Sequence, residues 1–213
     1  MSNIEDSEKD KLQEEVNAFG WDAISSEFSR IYPNQNNPKH YGTIISWDFG
    51  GKDPLRGISI YDDIDCWHFV TYGLSELYEK ESDNLDISGF GMEFTFRLKK
   101  NCYHNEENEI KCICGILQSI ARITFTKGEV FKPFEYIYTG QSVGIDSEQK
   151  SQITGFITIP DVKANTIDTK NGRVEFVELI GVKDNELKRI LNKELRVSEL
   201  YEELKSDITD YCR

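Results

Sequence analysis

Cys102, His104, Cys112 and Cys114 fall within thirteen residues, so metal chemistry is the first to test. The spacing C-x-H-x7-C-x-C lacks the paired C-x2-C arrangement of common structural zinc sites. On a helix, Cys112 and Cys114 point about 200° apart and cannot face one ion. No metal or cofactor is expected. For acid–base work the chain offers His40, His68 and the carboxylates Asp62, Asp63 and Asp65. A general base must lie within hydrogen-bond reach of its substrate. His68, in the alternating run WHFVTY, reads as a packed strand histidine, and His40, after Pro38-Lys39, as a residue bonded near a strand opening. The chain has no G-x-S-x-G elbow, phosphate-binding loop or C-x-x-C pair. Gly89-Phe90-Gly91 is too short for a dinucleotide fingerprint, and its glycines suit positive φ before a strand. These residues do not call for an enzyme.

They do suggest a binding surface. The formal net charge is −13, and from Asp53 to Glu93 ten acids face only Arg56 and Lys80. Trp47, Tyr61, Trp67, Tyr72, Tyr78 and Phe90 lie in or beside that stretch, and Trp and Tyr are favoured at interface hot spots. Such a field repels phosphate backbones and speeds encounter with basic proteins, so direct nucleic-acid binding is disfavoured. The plainer reading is solubility, with Trp67 and Phe90 in the core and the acids solvated. Tyr78 fits either account. The candidate partner-binding residues are Asp62, Asp63, Asp65, Tyr78, Glu79, Glu81 and Asp86.

The elements that must position these residues follow from periodicity. Leu12, Val16 and Phe19 predict a first helix interrupted at Gly20, and Ile24, Phe28 and Ile31 a second helix that ends before Pro33. Strands are expected at 41–47, 57–61 and 67–72. In 92–98, apolar Met92, Phe94, Phe96 and Leu98 alternate with Glu93, Thr95 and Arg97, as in a half-buried strand. The run 109–125 predicts a helix despite Gly115, and 153–159 and 173–182 return to strand chemistry. From Asp184, Leu187, Ile190, Leu191 and Leu195 form one helical stripe and Leu200, Leu204 and Ile208 another, with Ser198 as a candidate cap. Both stripes read as core-facing. The fold class is α+β, a mixed, mainly antiparallel sheet with flanking helices. One domain over 16–197 is expected, with a polar extension at 1–15 and a charged helical tail at 198–213.

Hydrophobic residues make up 38% of the 213 residues, enough for a folded core. The chain has no apolar run of membrane-spanning length, and its start is acidic, which predicts a cytoplasmic protein without a signal peptide. Five cysteines, an odd number, suit reduced thiols.

The blocks KHYGTI, DPLRGIS, WHFVTYGLSELY and SGFGMEFTFRL, with GWDAI before them and RVEFVELIGVKDNEL after, together resemble the Suppressor of fused (SUFU) domain over residues 18–195. The resemblance implies a fold like the family's N-terminal domain and a non-catalytic, protein-binding role. It is similar to the short bacterial form, associated with immunity proteins that bind and neutralise a cognate toxin. A nuclease toxin with a basic cleft would suit an acidic inhibitor. The animal form implies an alternative, a peptide-binding regulator that grips an extended segment of a transcription factor. The family's peptide-binding side maps onto Tyr78 and, less directly, Asp86.

Overall fold

The computed structural model describes residues 17–45 and 47–213. Helix α1 (Phe19–Ile31) precedes strand β1 (Lys39–Gly42) and a short 3-10 turn (Trp47–Phe49). Strands β2 (Gly57–Asp63), β3 (Cys66–Tyr72) and β4 (Ile87–Lys99) lead into helix α2 (Glu106–Lys127). Then come β5 (Tyr136–Tyr138), β6 (Ile153–Pro160), β7 (Ile167–Thr169) and β8 (Gly172–Lys183), followed by helices α3 (Asp184–Leu191) and α4 (Val197–Leu204). One eight-stranded sheet runs β1-β2-β3-β4-β8-β6-β5, with β7 on β8. Among the described residues, β4 and β8 are the one pair of named strands that run parallel. The fold is the α+β arrangement expected.

Period-two alternation sends opposite sides of the sheet into different cores. Phe69, Phe94, Phe96, Val177 and Leu179 pack under α2 with Ile110, Ile113 and Leu117. On the other face, Val70, Tyr72 and Phe176 meet Ile24 and Phe28 of α1, and Ile157, Ile180 and Val182 meet Leu187 and Ile190 of α3 and Leu200 of α4.

That second layer corrects the reading of β4 as half-buried. Glu93, Thr95 and Arg97 are as inaccessible as the apolar residues they alternate with. Arg97 survives burial by donating through Nε and Nη2 to Glu178 at 2.9 and 2.6 Å, with Asp207 at 2.7 Å from Nη1.

Other boundaries move for identifiable reasons. Gly20 does not interrupt a helix. It lies in the first turn of α1, where its N–H donates to Leu77 O at 3.0 Å and an added Cβ would overlap the Glu76 carbonyl. Leu12 and Val16 lie outside the described residues. The strand expected at 41–47 ends at Gly42, where the chain leaves the sheet for the 3-10 turn. Helix α2 extends past both predicted ends because Asn105 caps it by accepting from Asn108 N–H, and Gly128 ends it at φ 71°.

Ser198 is inside α4 rather than at its cap. Arg196 occupies that position, and its N–H donates to Glu199. Leu195 lies beyond α3 but is buried, and Leu191 is exposed. The last predicted stripe is helical only to Leu204. Beyond it the chain extends, Thr209 bridges to Leu98 in parallel, and Tyr211 enters the core beneath α2. Among the described residues, no helix is long and apolar enough to cross a membrane.

Candidate functional site

The β3–β4 ladder is paired only as far as Val70↔Thr95, and beyond it the chain peels away into the loop at 73–86. Gly73 makes the departure at φ 129°, with Arg56 N so close that a Cβ would be crowded. Diverging strands leave backbone donors without ladder partners, and buried donors must be satisfied. Glu93 supplies the acceptor: its carboxylate receives Gly73 N–H and Ser75 N–H, both at 2.9 Å, and the hydroxyls of Thr71 and Ser75 at 2.6 and 2.7 Å. Burial pushes this carboxyl up to about 7 against the pull of those donors.

Glu76 does the same one turn further on. It accepts from the N–H groups of Glu81, Ser82 and Gly89 and pairs with Lys80 at 2.9 Å. Burial opposes ionisation here too, but Lys80 and the three amides outweigh it and hold Glu76 at about 2. Asn171 donates to the carbonyls of Glu76 and Tyr78 at 2.9 and 3.1 Å, tying the loop to the turn before β8. The loop is therefore braced from three sides.

The braced loop forms one wall of a cleft of about 410 Å³. The 3-10 turn and Phe125 of α2 form the other. Trp47 and Phe90 lie 5.7 and 5.1 Å from Phe125 by ring centroid, giving an aromatic floor. Tyr78, Glu79 and Glu81 line the loop side. Outside it, Ile44 and Ile45 are exposed on the segment leading into the 3-10 turn, and Phe49 is exposed at that turn's end.

The seven candidate residues do not share one surface. Tyr78, Glu79 and Glu81 line the cleft, and Asp86 is exposed at the far end of the same loop. Asp62, Asp63 and Asp65 sit at the β2–β3 turn, the other end of β3 and about 20 Å away. Asp62 pairs with Lys100 and Asp63 with Lys163. Burial would raise the Asp63 carboxyl, but Lys163 brings it below its ordinary value. Asp53 pairs with Arg122, and Glu93 is interior. Of the ten acids between Asp53 and Glu93, Asp65, Glu79, Glu81, Asp83 and Asp86 have no ion-pair partner among the described residues, and four of these five lie on the loop at 73–86.

The groups considered for catalysis or metal binding are also apart. His68 is fully buried, taking the Tyr32 hydroxyl at Nδ1 (2.8 Å) and donating from Nε2 to Asp161 (3.0 Å). His40 contacts Ser59 at 3.0 Å and packs against Trp21. Neither meets Asp62. Cys114 is in the core, Cys112 donates to Ile145 O, and His104 is exposed near Glu148. Trp67 is buried as expected, between the ammonium groups of Lys39 and Lys100 at 4.2 and 4.4 Å. Tyr78 is 37% exposed.

Comparison with known proteins agrees with this architecture. The profile of the Suppressor of fused protein (SUFU) family matches residues 51–213. The chain belongs to the SUFU family. It is 30% identical over 181 residues to the Suppressor of fused homologs of Homo sapiens and Mus musculus, an alignment covering 79% of this chain and 36% of each relative. The chain thus spans about a third of those relatives. Among solved structures, a chain of the Sufu–Fu complex superposes with a TM-score of 0.80 at 25% identity, covering 92% of this chain and 91% of that one. Drosophila Suppressor of Fused gives 0.70 at 28% identity, covering 81% and 44%.

Residue-level reading missed the two organising glutamates. Glu76 and Glu93 count as surface charge in composition, and nothing in their spacing separates them from Glu79 and Glu81. The aromatic floor was equally hidden, because Trp47, Phe90 and Phe125 come from three separate segments.

Proposed function

We propose that this SUFU-family chain is a non-catalytic protein-binding module that seats a short segment of its partner in the cleft between the 3-10 turn and the loop at 73–86. The observation that carries the reading is the pairing of an aromatic floor with an acidic lip on a braced loop. Trp47, Phe90 and Phe125 suit an apolar or aromatic side chain, and Glu79 and Glu81 suit flanking Lys or Arg. Bracing by Glu76 and Glu93 lowers the ordering cost of binding. The superposition on a chain of the Sufu–Fu complex supports a protein partner.

The sequence raised two partner classes, a cognate toxin neutralised by a broad acidic face and a regulated protein recognised through a peptide. The cleft favours the second. The fold divides the acids into two groups, and lysines neutralise Asp62 and Asp63 in one of them.

The test is selection of displayed twelve-residue peptides on the folded chain, followed by calorimetry of the enriched sequences. Aromatic and basic sequences are expected, weakened by salt and by Tyr78→Ala or Glu79→Lys. Peptides insensitive to both substitutions would refute the cleft as the site.

A further inference from the structure

Cys102, Asp210 and Cys212 come together at the opposite end of β4 from the cleft. Cys102 follows the end of that strand, and the two others sit on the extended segment that Thr209 pins to Leu98. Their Sγ, Oδ and Sγ atoms all lie within 4.8 Å of one another. Cys102 Sγ is 3.3 Å from Asp210 Oδ1, and Cys212 N–H donates to the same oxygen at 2.8 Å, which curls the backbone so that both thiols face the carboxylate. Lys99 Nζ holds the other carboxylate oxygen at 2.6 Å.

We propose that these three side chains form a binding site for a thiophilic divalent cation, zinc being the best fit. Tetrahedral zinc with bonds of about 2.3 Å to sulfur and about 2.1 Å to oxygen places its ligand atoms roughly 3.5–3.8 Å apart, so the donors need move only slightly. Two thiolates and one carboxylate carry three negative charges, which the divalent ion and the Lys99 ammonium together balance. Lys99 also orients the carboxylate, as outer partners of metal ligands do. Three protein ligands leave a fourth position for water. An adjoining cavity of about 620 Å³, bounded by Lys100, Leu204, Ile208 and Arg213, gives water access to the cluster. Occupancy would clamp the segment after α4 onto the end of β4. Because thiols bind as thiolates, affinity should weaken with acidification.

The experiment is an anaerobic titration of the fully reduced chain with Co2+ at pH 8, read by absorption and followed by displacement with Zn2+. The expected result is one equivalent bound, with sulfur-to-cobalt charge-transfer bands and the visible bands of tetrahedral cobalt. Cys102→Ser, Cys212→Ser and Asp210→Asn should each weaken binding by at least about tenfold, since even outer-shell changes cost that much. Cys112→Ser should leave it unchanged. Binding without charge-transfer bands, or unchanged affinity in any of the three ligand variants, would overturn the site. Should Cys102→Ser fail to fold, the variants at Cys212 and Asp210 decide the matter by the same criteria.

Discussion

Replacing Glu93 with Gln tests the account of how the loop is held. In the folded chain the Glu93 carboxyl sits at about 7 instead of the ordinary 4.5, because burial penalises its charged form. A carboxyl whose folded value is raised binds its proton more tightly in the native state. Its contribution to stability is therefore intact below the unfolded value and is lost as pH rises from about 4.5 through about 7. At about 1.4 kcal/mol per unit, the full loss is about 3 kcal/mol, of which about 2 to 3 falls between pH 5 and 8. Gln preserves the acceptor oxygen facing Gly73 and Ser75, and its amide can donate to Thr71 Oγ1, which already accepts from Phe94 N–H at 2.9 Å. It cannot ionise. Urea unfolding of both proteins at pH 5 and pH 8 isolates Glu93, because contributions from His68 and the other titrating groups cancel in the difference between them. The variant should gain about 2 to 3 kcal/mol relative to the parent on going from pH 5 to pH 8. A pH-independent difference would refute the reasoning and mean that the four donors outweigh desolvation.

Four further outcomes follow from the packing and hydrogen bonding. Arg97→Met should cost about 3–5 kcal/mol in denaturant unfolding by leaving Glu178 buried without its partner, and a loss below 1 kcal/mol would show that the pair is not a buried ion pair. Tyr32→Phe should cost about 1–3 kcal/mol at pH 7 by removing the donor to His68 Nδ1. Because burial lowers the His68 value below 6.5, the parent should lose stability relative to His68→Gln as pH falls below about 6.5, where the unfolded imidazole takes up a proton and the folded one does not; a difference unchanged from pH 7 to pH 5 would count against this, since the parent's own midpoint also carries the opposing gain from Glu93. Gly20→Ala, with a Cβ driven into the Glu76 carbonyl and 2.8 Å from Leu77 Cα, should displace α1 from the loop and lower stability by about 1–3 kcal/mol or more, seen as a drop in thermal midpoint, whereas Gly115→Ala, mid-helix with nothing within 4 Å, should hold or raise it.

The periodic pattern of the chain was enough to identify most strands, helix α2 and the α+β class, because alternation and helical stripes are local consequences of which side chains face a core. The blocks of aromatic and glycine residues between Lys39 and Leu98 also carried the family. What sequence could not assign was the second face of the sheet. Glu93, Thr95 and Arg97 look solvated in the alternation of β4, and only the packing of the second helical layer and the segment after α4 reveals that they are interior. For the same reason a count of acids between Asp53 and Glu93 overstated the surface charge. Burial removes Glu93, and Lys80, Lys100, Lys163 and Arg122 neutralise four more acids, two of them from partners at least sixty-nine residues distant in the chain. Cys102 reads as part of a cysteine cluster within its own segment, yet its neighbours in space are Asp210 and Cys212. Side-chain type and spacing determine which elements form, because hydrophobic periodicity is local. Which charges are paired, which donors are satisfied and which ligands converge depend on contacts between distant segments, and those exist only once the sheet has closed its register.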